Sequence, residues 1–301
     1  MEGFDIIGDI HGHADRLTAL LGKLGYARDG EVYRHPSRKV LFLGDFIDRG
    51  PKIRETLGIV RAMVDNGTAQ AVMGNHEFNA VAYVTRGPDG DFLRSHRTER
   101  VAQHRETLLA FEDAKDEWDD HLRWFQTLPL FLDLGDLRIV HAVWDDAHMA
   151  RLHEGYGNRL TDSLLFNSHD RSLPEHLVIE EVLKGREVRL PDGVSFLDKG
   201  GHERRKARTR WWLDPAGLRP SEYLFGIGEE HDEGIRLPEA TGYPADAPPV
   251  FVGHYWLNSD KPHLQAHNVA CLDFSVALGG FLCAYRWDGE GRLSSDRFVT
   301  A

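Results

Sequence analysis

Cysteine is nearly absent: Cys271 and Cys283 are the two in 301 residues. Neither belongs to a metal-binding spacing, and both fall in apolar, strand-like segments. A disulfide framework and a thiolate metal site are therefore disfavoured, and two buried thiols in a reducing compartment are expected. Long apolar runs are missing as well. No stretch approaches the ~20 residues that a membrane-crossing helix needs. The chain enters its first strand at Phe4-Asp5-Ile6-Ile7 with no basic leader before it, which points to the cytoplasm and away from membranes. Basic charge is in deficit: 36 Lys and Arg stand against 48 Asp and Glu, a formal net charge of -12. That argues against long nucleic acid as the main partner, because backbone binding needs clustered Lys and Arg. A small phosphorylated substrate stays compatible, since bound cations supply local positive charge. Internal repeats and low-complexity tracts are absent too. What remains is ordinary for a globular protein, with 28% charged and 41% hydrophobic residues, and the length is enough to bury a full core. One domain over residues 1–301 is expected.

The first 80 residues alternate strand, loop and helix. Residues 4–7 read as a buried strand and 14–24 as a helix with Leu17, Leu20, Leu21 and Leu24 on one face. Strand 39–43, helix 53–66 and strand 70–73 follow. Such alternation predicts a mainly parallel sheet with helices on its faces, and ligands gather at the carboxyl ends of its strands. Residues 86–126 change character and read as helical and largely exposed. Strands are expected at 129–133 and 137–140. From 145 to 249 the pattern weakens, with loop-rich stretches at 167–173, 185–201 and 226–249, and substrate specificity is expected there. A strand then leads to Gly253-His254, and residues 268–275 and 280–287 form a closing antiparallel pair.

Five motifs sit just past these strands: Gly8-Asp9-Ile10-His11-Gly12, Gly44-Asp45-Phe46-Ile47-Asp48-Arg49-Gly50, Gly74-Asn75-His76-Glu77, Val140-His141-Ala142 and Gly253-His254. Together they suit a two-metal phosphoesterase. Two cations about 3.5–4 Å apart clamp a phosphate ester and generate hydroxide at neutral pH. They need one bridging carboxylate, with oxygen and imidazole ligands held rigidly around it. Asp9 and His11, two residues apart past a strand, can converge on one ion. Asp45 is the natural bridge, Asn75 offers an amide oxygen, and His141 and His254 complete the second ion.

The same residues resemble the calcineurin-like metallophosphoesterases. The Asp48-Arg49-Gly50 extension narrows the resemblance to the phosphoprotein phosphatase-like branch, which includes bacterial serine/threonine phosphatases and symmetric diadenosine tetraphosphatases. The resemblance implies an α/β fold, a metallophosphoesterase-type β-sandwich flanked by helices; the helical and loop-rich stretches at about 86–126 and 145–249 read as insertions and are expected to form a cap. It implies two divalent ions, Mn2+ first, with Fe, Zn, Ni or Mg as alternatives. Asp9, His11 and Asp45 would hold the first ion, and Asp45, Asn75, His141 and His254 the second. His76 would be the general acid, oriented by Asp48. Arg49 would bind a phosphate oxygen through its planar fork, with Asn75 also in reach of the phosphate. Two departures stand out. Trp256 holds the place where wider relatives carry a further ligand histidine, which agrees with the narrower branch. His141-Ala142-Val143 replaces the usual His-Gly-Gly, which leaves the ligand intact and changes the loop beside it.

A second phosphate-binding arginine is expected within residues 204–210, where strand alternation would put Lys206, Arg208 and Arg210 on one face. Arg210 is favoured, then Arg208, against an even chance of a solvated basic edge strand. His13, His96, His104, His121 and His169 fall in polar stretches and are expected at the surface. Tyr255 and Trp256 are expected to pack under the site, with nucleobase stacking as the alternative. The leading function is a hydrolase of phosphate esters, acting on a phosphomonoester or phosphoprotein. Dinucleoside polyphosphate hydrolysis is the alternative. A silent protein-binding scaffold and a nuclease are the competitors from other classes, the latter disfavoured by the acidic balance.

Overall fold

Short apolar strands followed by amphipathic helices build the first third of the chain. The computed structural model describes residues 3–197 and 201–301. Strand β1 (Gly3–Ile7) leads to α1 (Ala14–Leu24), whose Leu17, Leu20, Leu21 and Leu24 are buried and whose end is set by Gly25 at φ 88°. A small hairpin, β2 (Ala27–Asp29) with β3 (Val32–Arg34), precedes β4 (Arg38–Phe42). Helix α2 (Ile53–Asp65) buries Ile53, Thr56, Leu57, Val60 and Met63, one stripe at helical spacing, and leads into β5 (Ala69–Ala71) and α3 (Asn75–Val84). β1, β4 and β5 are parallel, as the alternation predicts.

Helices α4 (Thr98–Ala110) and α5 (Lys115–Thr127) come next, then β6 (Phe131–Asp133) and β7 (Arg138–Val140). Helices α6 (Asp146–Tyr156), α7 (Asp162–His169) and α8 (Pro174–Lys184) follow. Two short ladders, β8 (Glu187–Arg189) with β11 (Lys206–Arg208) and β9 (Phe196–Leu197) with β10 (Glu203–Arg204), and the one-turn α9 (Pro220–Tyr223) enclose a small satellite core around Tyr223 and Leu224. The chain closes with β12 (Val250–Val252), β13 (Val269–Cys271), β14 (Asp273–Phe274), β15 (Phe281–Trp287) and β16 (Phe298–Thr300).

Two sheets result. One is ordered β14-β15-β1-β4-β5, with β16 also on β15; the other is β13-β12-β7-β6. A single buried cluster joins them, and the rings of Phe251 on β12 and Tyr285 on β15 lie 5.0 Å apart between the sheets. The expected α/β sandwich with flanking helices is the fold observed.

Three expectations need correction. The 86–126 segment is helical only from Thr98 onward and is exposed over much of its length, but the inner face of α5 is not: Trp118, Leu122 and Phe125, at i, i+4 and i+7, are buried in the main core. Residues 146–184 hold three helices where the pattern was weak, and α7 runs into the stretch expected as loop at 167–173. Their signals are local caps. Asp145 accepts from the N–H groups of Ala147 and His148, Thr161 accepts from Leu164, and Pro174 opens α8. Residues 204–210 are not one strand, because β10 ends at Arg204 and β11 pairs elsewhere from Lys206. Of the loop expected at 185–201, residues 198–200 lie outside the described residues.

Candidate metal centre

Five strands end at one place. Asp9, Asp45, Asn75, His141 and His254 lie within four residues of the ends of β1, β4, β5, β7 and β12. The loops that carry them are strained. Among the described residues eight non-glycine residues adopt positive φ, and six of these are His11, Asp45, Asp48, Arg49, His254 and Trp256. Each such conformation costs of order 1–3 kcal/mol and persists where the surroundings enforce it, as at binding sites. Glu77 supplies part of that enforcement. Its buried carboxylate accepts the backbone N–H groups of Asp45 (2.9 Å), Phe46 (2.8 Å) and Gly74 (3.0 Å), tying two of the loops together. Gly253 is required for space: a Cβ there would meet Asp9 Oδ1 at 2.0 Å.

Asp45 occupies the centre. Its Oδ1 accepts the backbone N–H of His76 at 2.9 Å. Its Oδ2 faces three imidazole nitrogens, Nε2 of His141 at 3.4 Å, of His11 at 3.7 Å and of His76 at 3.9 Å. Two sets of ligand atoms, each mutually within 4.8 Å, share this carboxylate: His11, Asp45 and His76, and Asp45, His141 and His254. Asn75 Oδ1 joins the second set, 2.6 Å from His254 Nδ1 and 3.1 Å from His141 Nε2. Asp9 joins neither set. Its Oδ2 accepts the backbone N–H of His254 at 3.0 Å, and its buried Oδ1 has no hydrogen-bond partner.

The donor chemistry fits cations. His11 and His141 donate from Nδ1 to the carbonyls of Ile47 (3.0 Å) and Leu43 (2.7 Å), which aims both Nε2 lone pairs at Asp45. Lone pairs thus meet carboxylate and amide oxygens, and only protons or metal ions reconcile them. The electrostatics carry the same mark. Burial and the proximity of Asp273 push the Asp9 carboxyl well up. Burial would also raise Asp45, but the imidazoles of His141, His76 and His11 outweigh it and hold that carboxyl well below its ordinary range. His141 moves the other way. Burial would lower it, yet Asp45 beside it pushes it up to about 10. Burial and the neighbouring His76 lower His11 to about 3.

His76 donates from Nδ1 to Asp48 Oδ2 at 2.5 Å. Arg49 is pinned beside them, its guanidinium 3.8 Å from the Trp256 ring centroid and its buried Nε without a partner. Trp256 therefore gives one ring face to Arg49. Tyr255 is buried and donates from its hydroxyl to the Ala142 carbonyl at 3.2 Å.

Arg210 is not aimed at this cluster. Its Nη1 donates to the carbonyls of Glu222 and Leu224 at 3.0 Å each, and its guanidinium lies over Phe225. Arg208 is the arginine of that segment whose charge acts on His254 and which is itself influenced by Asp273. Two histidines expected at the surface are buried. His121 packs among Phe111, Trp124 and Phe125, and His104 donates from Nδ1 to Asp48 Oδ1 at 2.7 Å. His13 and His169 are partly buried, and His96 is exposed. His104, Thr107 and Asp273 are buried polar residues of this site that lie outside the motifs, and Glu77 lies in one of them without a role being assigned to it.

Comparison with known proteins agrees with this geometry. The asymmetrical bis(5'-nucleosyl)-tetraphosphatase PrpE of Bacillus subtilis (strain 168) is 34% identical over 142 residues, 46% of this chain and 57% of that protein. The symmetrical bis(5'-nucleosyl)-tetraphosphatase of Neisseria meningitidis serogroup A is 33% identical over 138 residues, 45% of this chain and 41% of that protein. The chain spans about half the length of the curated relatives it matches. A solved protein serine/threonine phosphatase from Saccharomyces cerevisiae shares the fold, with a TM-score of 0.51 at 14% identity over 99% of this chain and 78% of that one. The calcineurin-like phosphoesterase family matches residues 4–254, a span that takes in every strand end from Asp9 to His254, and the chain belongs to that family.

Proposed function

We propose that the chain is a metal-dependent phosphohydrolase that attacks a phosphate ester in line with water. The observation that carries this is the Asp45 carboxylate shared by two sets of ligand atoms. His11 and Asp45 of the first set, with Asp9, whose buried Oδ1 has no hydrogen-bond partner, would hold one divalent cation, and His76 of that set is kept for the proton; Asp45, Asn75, His141 and His254 would hold the other. Mn2+ is our first choice, with Fe, Zn, Ni or Mg as alternatives. Such a pair supplies Lewis acidity at the phosphate and an acidified water.

The chain's own groups do the rest. His76, oriented through Nδ1 by Asp48, presents Nε2 to the leaving oxygen and gives it a proton. Arg49 donates to a phosphate oxygen. Because Trp256 already holds its guanidinium, little further ordering is needed when the anion arrives. Arg208 replaces Arg210 as the candidate for a second phosphate contact. The buried free thiols of Cys271 and Cys283 suit a cytoplasmic setting. Among the described residues no helix is long and apolar enough to cross a membrane.

The substrate is a phosphomonoester or phosphoprotein. The cleft beside Arg49, about 530 Å3, is lined by Thr98, Glu99, Ala102, Gln103, Glu106 and His202; among the described residues no Phe, Tyr or Trp lines it, and the nearby Trp256 ring is taken up by Arg49. A dinucleoside polyphosphate is the second reading, favoured by the tetraphosphatase relatives. Turnover with Mn2+ of phosphoserine peptide, aryl phosphate, dinucleoside tetraphosphate, cyclic nucleotide and single-stranded RNA tests both. Preference for the first two supports the first reading, and preference for the tetraphosphate supports the second. Metal binding without turnover of any would favour a binding scaffold.

A further inference from the structure

We infer, on the reading of His76 as general acid, that His104 and Thr107 of helix α4 are positioning residues that lock Asp48 in the pose from which it orients His76. Asp48 is buried, and its two carboxylate oxygens are divided between two tasks. Oδ2 accepts from His76 Nδ1 at 2.5 Å. Oδ1 accepts from His104 Nδ1 at 2.7 Å and from Thr107 Oγ1 at 2.6 Å. His104 and Thr107 stand at i and i+3, so one helix face presents both donors. With Oδ1 filled, the carboxylate cannot rotate without breaking two hydrogen bonds, and Oδ2 is reserved for His76.

Thr107 also fastens the main chain. Its Oγ1 accepts the backbone N–H of Asp48 at 3.0 Å, where Asp48 has φ 68° and Arg49 φ 69°. Two successive non-glycine residues in the left-handed region need such an anchor. His104 is hard to explain as packing alone. It is buried between Tyr83 and Trp118, and its Nε2 has no hydrogen-bond partner. An apolar side chain would fill that space without leaving a buried nitrogen unsatisfied. The hydrogen bond from Nδ1 to Asp48 is what the imidazole adds. The other side of α4 lines the cleft beside Arg49 through Thr98, Glu99, Ala102, Gln103 and Glu106. Helix α4 therefore borders the cleft beside Arg49 while holding the acid's partner.

Positioning of a general acid has a readout that simple destabilisation lacks: it matters most when the leaving group is poor. The test uses the full-length, Mn2+-loaded protein with phenyl phosphate and p-nitrophenyl phosphate. Thr107→Val and His104→Leu should each lower kcat about ten- to hundredfold on phenyl phosphate. On p-nitrophenyl phosphate each should cost less than about threefold, with KM and metal content unchanged. Thr107→Ser and His104→Asn, which restore a donor, should recover most of the loss. Equal losses on both substrates, loss of metal, no recovery by the conservative variants, or unfolding of both the Val and Leu variants would overturn the inference. His76→Asn in parallel separates the two layers. A leaving-group-selective loss there without one in the α4 variants defeats this inference alone. No selectivity in His76→Asn defeats the general-acid reading and this inference with it.

Discussion

Glu77 Oε2 accepts the backbone N–H of Asp45 at 2.9 Å, a bond between residues 32 positions apart. The same carboxylate takes the N–H groups of Phe46 and Gly74, so one side chain holds the loop of the shared carboxylate against the loop of Asn75. Glutamine has one acceptor oxygen and would turn an NH2 toward at least one of these donors. Glu77→Gln should therefore lose about 1–3 kcal/mol of stability in denaturant unfolding of the metal-free protein, and bind metal more weakly. Wild-type stability and metal affinity together would show that the staple is dispensable.

Arg208 and Arg210 should separate cleanly. Arg208→Ala should raise KM or lower kcat about tenfold, as expected for losing a charged contact to phosphate. Arg210→Ala removes donors from the Glu222 and Leu224 carbonyls and uncovers Phe225. It should lower the melting temperature and leave kcat/KM within about twofold of wild type. The reverse pattern would return the phosphate contact to Arg210.

Asp48 gives a dependence on pH. Burial would raise its carboxyl, but His76 and His104 outweigh burial and hold it below the ordinary carboxylate range. A folded pKa below the unfolded one means that the ionised group contributes stability above the unfolded value of about 4. That contribution is lost as pH falls through the folded value. In metal-free protein, Asp48→Asn should therefore be destabilised most near neutrality, by about 1–3 kcal/mol. The gap to wild type should narrow below about pH 4. Urea unfolding at several pH values measures it, and a gap independent of pH would mean that the charge of Asp48 is not what the two histidines stabilise.

Much of the frame was legible because its signals are local. Leu17, Leu20, Leu21 and Leu24 mark α1 by spacing alone, and Asp9, Asp45 and His254 follow short apolar runs that read as buried strands. Parallel pairing of those strands then brings their ends to one edge. Other features were hidden because they act at a distance. His104 lies in a polar stretch, and its partner Asp48 is 56 residues away, so nothing near it in sequence distinguishes it from a surface histidine. Arg210 misled because strand periodicity was extended through Arg205, where the ladder changes partner. The helices between 146 and 184 were under-read because their evidence lies in the caps at Asp145, Thr161 and Pro174, while their apolar faces are short.

Two cations sharing Asp45 is the arrangement on which the proposed chemistry depends, and metal stoichiometry tests it most directly. Protein loaded with excess Mn2+ and freed of unbound metal should carry about two ions per chain, and Asp45→Asn should bring this below about one. One ion or fewer in the wild-type chain, with no change in Asp45→Asn, would contradict the account.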